Sequence, residues 1–294
     1  MKKPLFTGAC TALVTPFHNG KLNLPMMKIL LQRQMDAGIG AVVLCGTTGE
    51  SPTLSDDEKI TVIRYGKQVV GKGCTIIAGT GSNDTGHTID LSRAAEEAGA
   101  DSLLVVSPYY NKATPNGLIS HYCAIANAVH IPVILYNVPS RTGVDIPVSV
   151  YQELARVPNI AGVKEASTDI TKIAKIKAMC PADFAVWSGN DNMIVPIMSL
   201  GGIGAISVTS NILPMQVQAM THAALAGDFD SAAALQLEML PFMDLLFCEV
   251  NPIPVKTALN LMGLNAGMLR LPLYEMAENT LSNLKKTMSE AGII

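Results

Sequence analysis

The stretch TIIAGTGSNDTGHTIDLSRAAEEAGADSLLVV, residues 75–106, decides the fold. Its two ends, 75–79 and 102–106, are apolar almost throughout, and residues 84–98 between them have the spacing of a helix with one apolar face. A strand that is apolar throughout, instead of alternating, belongs to a sheet that is covered on both faces. The stretch therefore predicts two parallel strands joined by a helix.

The same unit recurs along the chain. Six further apolar runs, each followed by polar, Gly or Pro residues, are predicted as strands: 8–14, 41–45, 132–136, 160–164, 184–188 and 204–208. Residues 25–37 and 55–70 are predicted as helices, and Ser55 followed by Glu58 has the spacing of a capping box. Eight such strands predict an α/β fold of the (β/α)8 TIM barrel type. A doubly wound open sheet is the alternative, and the absence of a GxGxxG turn after the first strand counts against it.

The strand pattern stops near residue 225. The remaining sequence has three segments of helical spacing, more than a barrel needs to close. We therefore predict a barrel over residues 1–224 and a C-terminal helical appendage over 225–294, packed on the barrel or on a neighbouring subunit.

Composition excludes several classes of protein. The chain of 294 residues is 49% hydrophobic and has a net charge of −3, so it has no basic surface for nucleic acid. It has no apolar run long enough to span a membrane, and its first residues do not have the pattern of a signal peptide. The six scattered cysteines indicate neither disulfides nor a metal site. We expect a cytoplasmic protein without a bound metal.

Lys164 ends the apolar strand 160–164 and is the first candidate for chemistry. A buried ammonium is costly, and a lysine in this position can extend to solvent or pair with a carboxylate such as Glu165. The alternative is a Schiff-base lysine, because a desolvated ammonium loses its proton more readily and the neutral amine attacks a ketone or aldehyde. The local pattern leaves both interpretations open.

The ends of the other predicted strands carry residues that such a lysine needs. Tyr136 ends the preceding strand and is a candidate proton shuttle, although a tyrosine there is also a common packing residue. The Gly-Thr-Thr-Gly turn at 46–49 offers hydroxyl and N–H groups to a carboxylate, or merely ends a strand. Arg141 is a candidate for a second carboxylate, or a surface arginine. Glu50 either positions the turn or contacts substrate.

Three segments in order resemble one known family. The segments GTTGESPTLSDDE (46–58), YNVPSRTG (136–143) and GVKEAS (162–167) are together similar to the pyruvate-dependent class I aldolase family, and the resemblance extends to NPIPVK (251–256). It implies a (β/α)8 barrel that uses no metal or organic cofactor, because Lys164 itself forms an imine with pyruvate. It also implies a homotetramer built from two tight dimers.

The resemblance implies a role for each residue around the imine. Tyr136 would donate and accept protons, linked through Thr47 to Tyr110 in a relay. Tyr110 would reach across a dimer interface into the neighbouring active site. Thr48 and the backbone at Ile206 would hold pyruvate.

Within the family, the resemblance favours the reaction of lysine and diaminopimelate biosynthesis. There pyruvate condenses with L-aspartate 4-semialdehyde, Arg141 engages the carboxylate of this second substrate, and Gly189 lines the pocket. The paired threonines at 47 and 48 and the Arg141-Thr142-Gly143 sequence favour it. The alternatives are a related lyase for N-acetylneuraminate or a 2-keto-3-deoxy sugar acid, and a barrel without catalytic activity.

One departure concerns regulation by lysine. Members of the family that lysine inhibits bind it with polar and acidic residues in segments matching 51–59 and 83–87. Here Lys59 and His87 stand where those members tend to carry His and Glu. Added positive charge repels a cationic effector, so we expect weak or absent inhibition by lysine.

Overall fold

The computed structural model describes residues 3–294, and its centre is a closed barrel of eight parallel strands. This confirms the (β/α)8 prediction over the open sheet. In chain order the barrel strands are β1 Gly8–Ala12, β4 Ala41–Leu44, β5 Thr75–Gly79, β6 Ser102–Val106, β7 Val133–Asn137, β8 Ile160–Glu165, β9 Ala185–Ser188 and β10 Gly204–Ser207. Each lies where the sequence predicts a strand, with ends that differ by two residues at most. A short hairpin of β2 Phe17–His18 and β3 Lys21–Leu22 was not predicted, because two-residue strands have no readable period.

Helices follow the strands and cover the outside of the barrel. They are α1 Leu24–Asp36, α2 Asp56–Val70, α3 Thr85–Glu97, α4 Pro115–Asn127, α5 Pro139–Thr142, α6 Val148–Leu154, α7 Ile170–Met179, α8 Ile194–Ser199, α9 Pro214–Leu225, α10 Phe229–Leu245, α11 Ile253–Leu261 and α12 Glu278–Glu290. The predicted capping box starts α2: the Glu58 amide donates to Ser55 Oγ and the Ser55 amide to Glu58 Oε2. In the described part of the chain, no helix combines the length and apolarity needed to cross a bilayer.

The alternation of side chains along each strand separates two apolar cores. On β7, Val133 and Leu135 point outward into the core between strands and helices. Ile134 and Tyr136 point inward into the core of the barrel. Residues that end a strand on its inward face therefore meet at one mouth of the barrel, where parallel strands place their carboxyl ends.

The opposite, amino-terminal end of the barrel is filled by an aromatic pair. Phe6, just before β1, stacks on Trp187 with the ring centroids 5.0 Å apart. The indole N–H of Trp187 donates to the carbonyl of Phe6 over 3.4 Å. Both rings are buried, so this end of the interior is packed instead of open.

The last three helices, α10 to α12, join the outer core of the barrel. Met243 and Leu246 at the end of α10, Leu259 on α11, and Leu284 and Met288 on α12 belong to the same buried cluster as the barrel strands. The division of the chain at residue 224 stays a prediction. Residues of this C-terminal region also contact the turn after β4, at the carboxyl end of the barrel.

Candidate active site

Lys164 and Tyr136 are cross-strand neighbours at the carboxyl end of the barrel. The two residues pair in register on β8 and β7, and both point inward. The Nζ of Lys164 lies 4.4 Å from the centroid of the Tyr136 ring. Lys164 is only 6% exposed, and among residues 3–294 no carboxylate lies within 4.0 Å of its Nζ. An amine that is not held in an ion pair is available to attack a carbonyl carbon.

Glu165 does not pair with Lys164, so that interpretation of the lysine is wrong. Successive residues of a strand point to opposite faces, and Glu165 points outward. Its carboxylate accepts hydrogen bonds from Asn137 Nδ2, the Ser167 amide and the Tyr151 hydroxyl. Asn137 and Glu165 pair in register directly beside Tyr136 and Lys164. This buried outer network holds the two strand ends together without taking part in the inner site.

A cavity of about 130 Å³ opens in front of Lys164. Tyr136, Thr47, Thr48, Arg141 and Gly189, all predicted site residues, contribute to its wall. The thiol of Cys10 is buried in the barrel interior, and burial raises its pKa, so it stays neutral near the amine. The cavity thus combines one nucleophile, one phenol and several hydrogen-bond donors in a space suited to a small acid.

Gly189 leaves room for the lysine. A Cβ added at this position would lie 2.7 Å from the Cβ of Ala166 and 3.2 Å from Cε of Lys164. The first distance is too short for two carbon atoms and the second is tight. A side chain at 189 would therefore press on the lysine and on any group bonded to its Nζ.

The turn that carries the paired threonines is tightly bent. Cys45 and Glu50, which flank it, both have left-handed backbone conformations, with φ of 56° and 57°. Thr15 Oγ1 donates to the Gly49 carbonyl over 2.7 Å, which ties the turn to the barrel. Thr48 Oγ1 accepts a hydrogen bond of 3.0 Å from Asn251 Nδ2. The Thr48 hydroxyl is thereby held at the wall of the cavity.

Arg141 lies at the mouth of the cavity, on the short helix α5. This helix ends at Gly143 with φ of 68°, and Thr142 Oγ1 donates within it. The Nη2 of Arg141 donates to the backbone carbonyl of Asn251 over 3.2 Å. The rest of the exposed guanidinium remains available to an anion at the mouth.

Two predicted site residues lie apart from this cavity. Tyr110 is 91% exposed, has a left-handed φ of 70°, and does not line the cavity within one chain. Ile206 is buried in the inner core, and Val208 forms the cavity wall after the same strand. The structure therefore brings together six of the eight predicted residues: Lys164, Tyr136, Thr47, Thr48, Arg141 and Gly189.

A larger cavity of about 410 Å³ adjoins the first and shares Thr47, Tyr136 and Arg141 with it. Lys59 and His87 line its outer part. Both contact Asp56: Lys59 Nζ lies 3.2 Å from Oδ1 and His87 Nε2 lies 2.8 Å from Oδ2. The hydrogen bond with His87 is the main reason why the pKa of Asp56 is below its usual value. Lys59 and His87 thus share one carboxylate.

Sequence reasoning missed the part that the C-terminal region plays. Asn251 and Phe247 line the small cavity, and Lys256 forms a buried ion pair of 2.6 Å with Glu50. Glu50 therefore positions the turn instead of contacting substrate. The segment 251–256 drew attention through its family resemblance, but nothing in its local pattern shows which distant side chains it meets.

Metal ligands and disulfides are absent from the described residues. Nowhere in 3–294 do three or more His, Cys, Asp or Glu side chains gather as a metal site would require. All six cysteines have free thiols.

Comparison with known proteins gives a consistent result. Residues 5–291 match the dihydrodipicolinate synthetase family. A 4-hydroxy-tetrahydrodipicolinate synthase of Thermoanaerobacter sp. is 47% identical over 292 residues, which cover 99% of this chain and 98% of that protein. The crystal structure of dihydrodipicolinate synthase from Aquifex aeolicus is 39% identical, covers 98% of this chain and 99% of its own, and has a TM-score of 0.97. The corresponding enzyme of Cyanidioschyzon merolae, crystallised with lysine bound, is 36% identical with a TM-score of 0.96 and covers 99% of this chain and 100% of its own.

Proposed function

Since the chain belongs to the dihydrodipicolinate synthetase family, we propose that it joins pyruvate to L-aspartate 4-semialdehyde through an imine on Lys164. The product is 4-hydroxy-tetrahydrodipicolinate, the compound after which the related synthases are named. The enzyme is a lyase of the class I aldolase type and acts on small molecules. We place it in lysine and diaminopimelate biosynthesis, in the cytoplasm.

The reaction follows from the chemistry of the cavity. The neutral amine of Lys164 attacks the ketone carbon of pyruvate, and loss of water gives the imine. Removal of a methyl proton gives the enamine, which attacks the aldehyde carbon of the second substrate. The amino group of that substrate then displaces Lys164 from the former ketone carbon and closes the ring. One water molecule leaves overall, and no electrons are gained or lost, so the sequence of steps needs no cofactor.

Each predicted site residue has a place in this reaction. Tyr136, beside Lys164, carries protons to and from the carbinolamine and the new hydroxyl. The Thr47 hydroxyl and Tyr110 extend that path, and Thr48 with the backbone at Ile206 holds the pyruvate carboxylate. Gly189 leaves space for the imine, and Arg141 holds the carboxylate of the second substrate. The single observation that carries the proposal is the buried amine of Lys164, without a carboxylate partner, beside a phenol.

The direct test is reduction with borohydride in the presence of pyruvate. We expect a stable adduct on Lys164, located by peptide mass spectrometry, together with turnover of pyruvate and aspartate semialdehyde. Lys172 and Lys256 are internal controls, because each is buried but engaged in an ion pair. An adduct on either of these lysines, or on Lys112, would overturn the assignment.

Arg141→Ala separates the proposed reaction from that of a lyase for other keto acids. A charge-assisted contact of this kind contributes about 1.5–3 kcal/mol, so we expect KM for aspartate semialdehyde to rise roughly tenfold to a hundredfold. Imine formation with pyruvate should stay within a factor of three, because Lys164 is untouched. Steady-state kinetics and borohydride trapping on the same preparation measure the two effects. Unchanged KM for aspartate semialdehyde in this variant would contradict the role of Arg141.

We also propose that the chain assembles as a homotetramer of tight dimers. The support is Tyr110, an aromatic side chain that is almost fully exposed on a left-handed backbone residue, as suits a contact with a second copy. Light scattering coupled to size exclusion should give the mass of four chains. A fully active monomer would contradict both the assembly and the relay through a partner's Tyr110.

Regulation by lysine is expected to be weak. Asp56, Lys59 and His87 together carry no net negative charge, whether or not the imidazole is protonated, so they offer no attraction to a cationic effector. Turnover with millimolar lysine should match turnover without it. Strong inhibition at such concentrations would show that other groups supply the negative charge.

A further inference from the structure

We propose that the C-terminal helical region positions the substrate-binding turn, with Asn251 and Lys256 as its two positioning residues. The proposal rests on the function proposed above and extends it to residues that do not react. The proposal rests on two contacts at opposite ends of the segment 48–50. The side chain of Asn251 bonds to Thr48, and that of Lys256 bonds to Glu50.

Asn251 reaches both sides of the cavity. It is 5% exposed and lines the wall in front of Lys164. Its Nδ2 donates to the hydroxyl oxygen of Thr48 over 3.0 Å, and its backbone carbonyl accepts from Arg141 Nη2 over 3.2 Å. One residue outside the barrel strands therefore contacts both side chains that we assign to carboxylates, one for each substrate.

The contact on Thr48 decides which way its hydroxyl hydrogen points. A hydroxyl has one hydrogen to donate and lone pairs to accept with. Because Asn251 donates to the oxygen, the Thr48 hydrogen is left for another acceptor, and the cavity lies in front of it. A carboxylate held there receives a hydrogen bond whose direction is set in advance. Without the amide, the hydroxyl is free to rotate away.

Lys256 holds the end of the turn. Its Nζ lies 2.6 Å from Glu50 Oε1 and donates to the Met268 carbonyl over 2.9 Å. The other oxygen of Glu50 accepts from the Arg270 amide over 2.9 Å. Both carboxylate oxygens of Glu50, a residue in a left-handed conformation, are therefore committed to the C-terminal region.

A contribution to the stability of the fold does not by itself explain the buried ion pair between Lys256 and Glu50. Lys256 is 1% exposed, and burial lowers its pKa while the ion pair opposes this shift. Apolar residues of similar volume commonly replace a buried ion pair without loss of stability. What they do not supply is a fixed position for the backbone, and Glu50 lies two residues after Thr48. The pair thus sets the location of the turn relative to Lys164.

The first test is a double-mutant cycle between Asn251 and Thr48. We expect Asn251→Ala to raise KM for pyruvate about tenfold, with kcat within a factor of three, because the lost hydrogen bond acts on binding. In a Thr48→Val background the same change should have less than a twofold effect, since the hydroxyl that it orients is gone. Independent effects that multiply in the double variant would overturn the role of Asn251.

The second test removes both charges of the inner pair. In the Glu50→Gln, Lys256→Met double variant we expect KM for pyruvate to rise about tenfold and trapping on Lys164 to slow by a similar factor. The control is Asp101→Asn, which breaks the ion pair of 2.6 Å between Asp101 and Lys67, whose partners contact neither the turn nor the C-terminal region. It should lower the melting temperature and leave KM for pyruvate within a factor of two.

The outcomes separate three situations. If the double variant folds and binds pyruvate as the wild type does, the positioning role is wrong. If it does not fold, the double-mutant cycle between Asn251 and Thr48 still tests the proposal. Asn251→Ala removes only one neutral hydrogen bond, so this variant should fold. If the wild-type protein shows no borohydride adduct at all, the proposed function fails, whatever the variants do.

Discussion

Lys164→Ala and Lys164→Met are expected to abolish imine formation and to lower turnover by about 10³-fold or more, because no other group in the cavity can form the covalent intermediate. Borohydride trapping with pyruvate should give no adduct in either variant. Lys164→Arg should fail equally, since a guanidinium keeps its proton and does not act as a nucleophile. The measurements are single-turnover kinetics and intact mass after reduction.

The same variants should behave differently in a melting experiment. Lys164 is a buried side chain with no carboxylate partner within 4.0 Å in the described residues, so its replacement breaks no ion pair of the fold. Methionine has a similar length and no charge. We therefore expect Lys164→Met to melt at the wild-type temperature or above it. A clear fall in melting temperature together with retained trapping would show that the lysine is structural.

Tyr136→Phe is expected to have the second largest effect. Phenylalanine keeps the ring whose centroid lies 4.4 Å from Lys164 Nζ, so the packing of the strand end is preserved. It removes the hydroxyl that we assign to proton transfer, a role that typically contributes 10²- to 10⁴-fold to the rate. We expect kcat to fall by about that factor, with KM for pyruvate changed less than threefold. Stopped-flow measurement of imine formation should locate the defect before the second substrate binds.

Tyr122→Phe is the matched control for this change. Tyr122 is buried on α4 in the core outside the barrel strands, and its hydroxyl donates to the Val105 carbonyl over 3.4 Å. Its loss should cost about 1 kcal/mol of stability and leave kcat unaltered. A Tyr136→Phe variant that keeps more than a tenth of the wild-type kcat would rule out the phenol as the main proton carrier.

The barrel could be predicted from the sequence because its signals are local. Eight apolar strands separated by helical segments appear directly in the chain, and the capping box at Ser55 fixes the start of α2. The cluster of Lys164, Tyr136 and the 46–49 turn could be predicted for a related reason. In a parallel barrel, the residues that end the strands meet at one end whatever their separation in the chain.

Contacts between distant segments could not be predicted. Lys256 and Glu50 are separated by 206 positions, and neither a period nor a turn links them. The face on which Glu165 lies depends on the strand register, because a shift of one residue would exchange it with Lys164. In the proposed assembly, the environment of Tyr110 depends on a second copy of the chain, whose position no local pattern gives. Resemblance to a family supplied a role for Tyr110, but not the geometry of any of these residues.

The aromatic pair at the amino-terminal end of the barrel bears on the order in which the two substrates bind. Phe6 and Trp187 pack at that end, whereas the cavity opens at the mouth that Arg141 borders, so we expect pyruvate, the departing water and the semialdehyde to pass through this mouth. An aldehyde that arrives first would stand between pyruvate and the amine. The enzyme should therefore follow ping-pong kinetics, in which pyruvate enters and water leaves before the second substrate binds. The amine at the inner end of the cavity would then meet its two substrates one after the other.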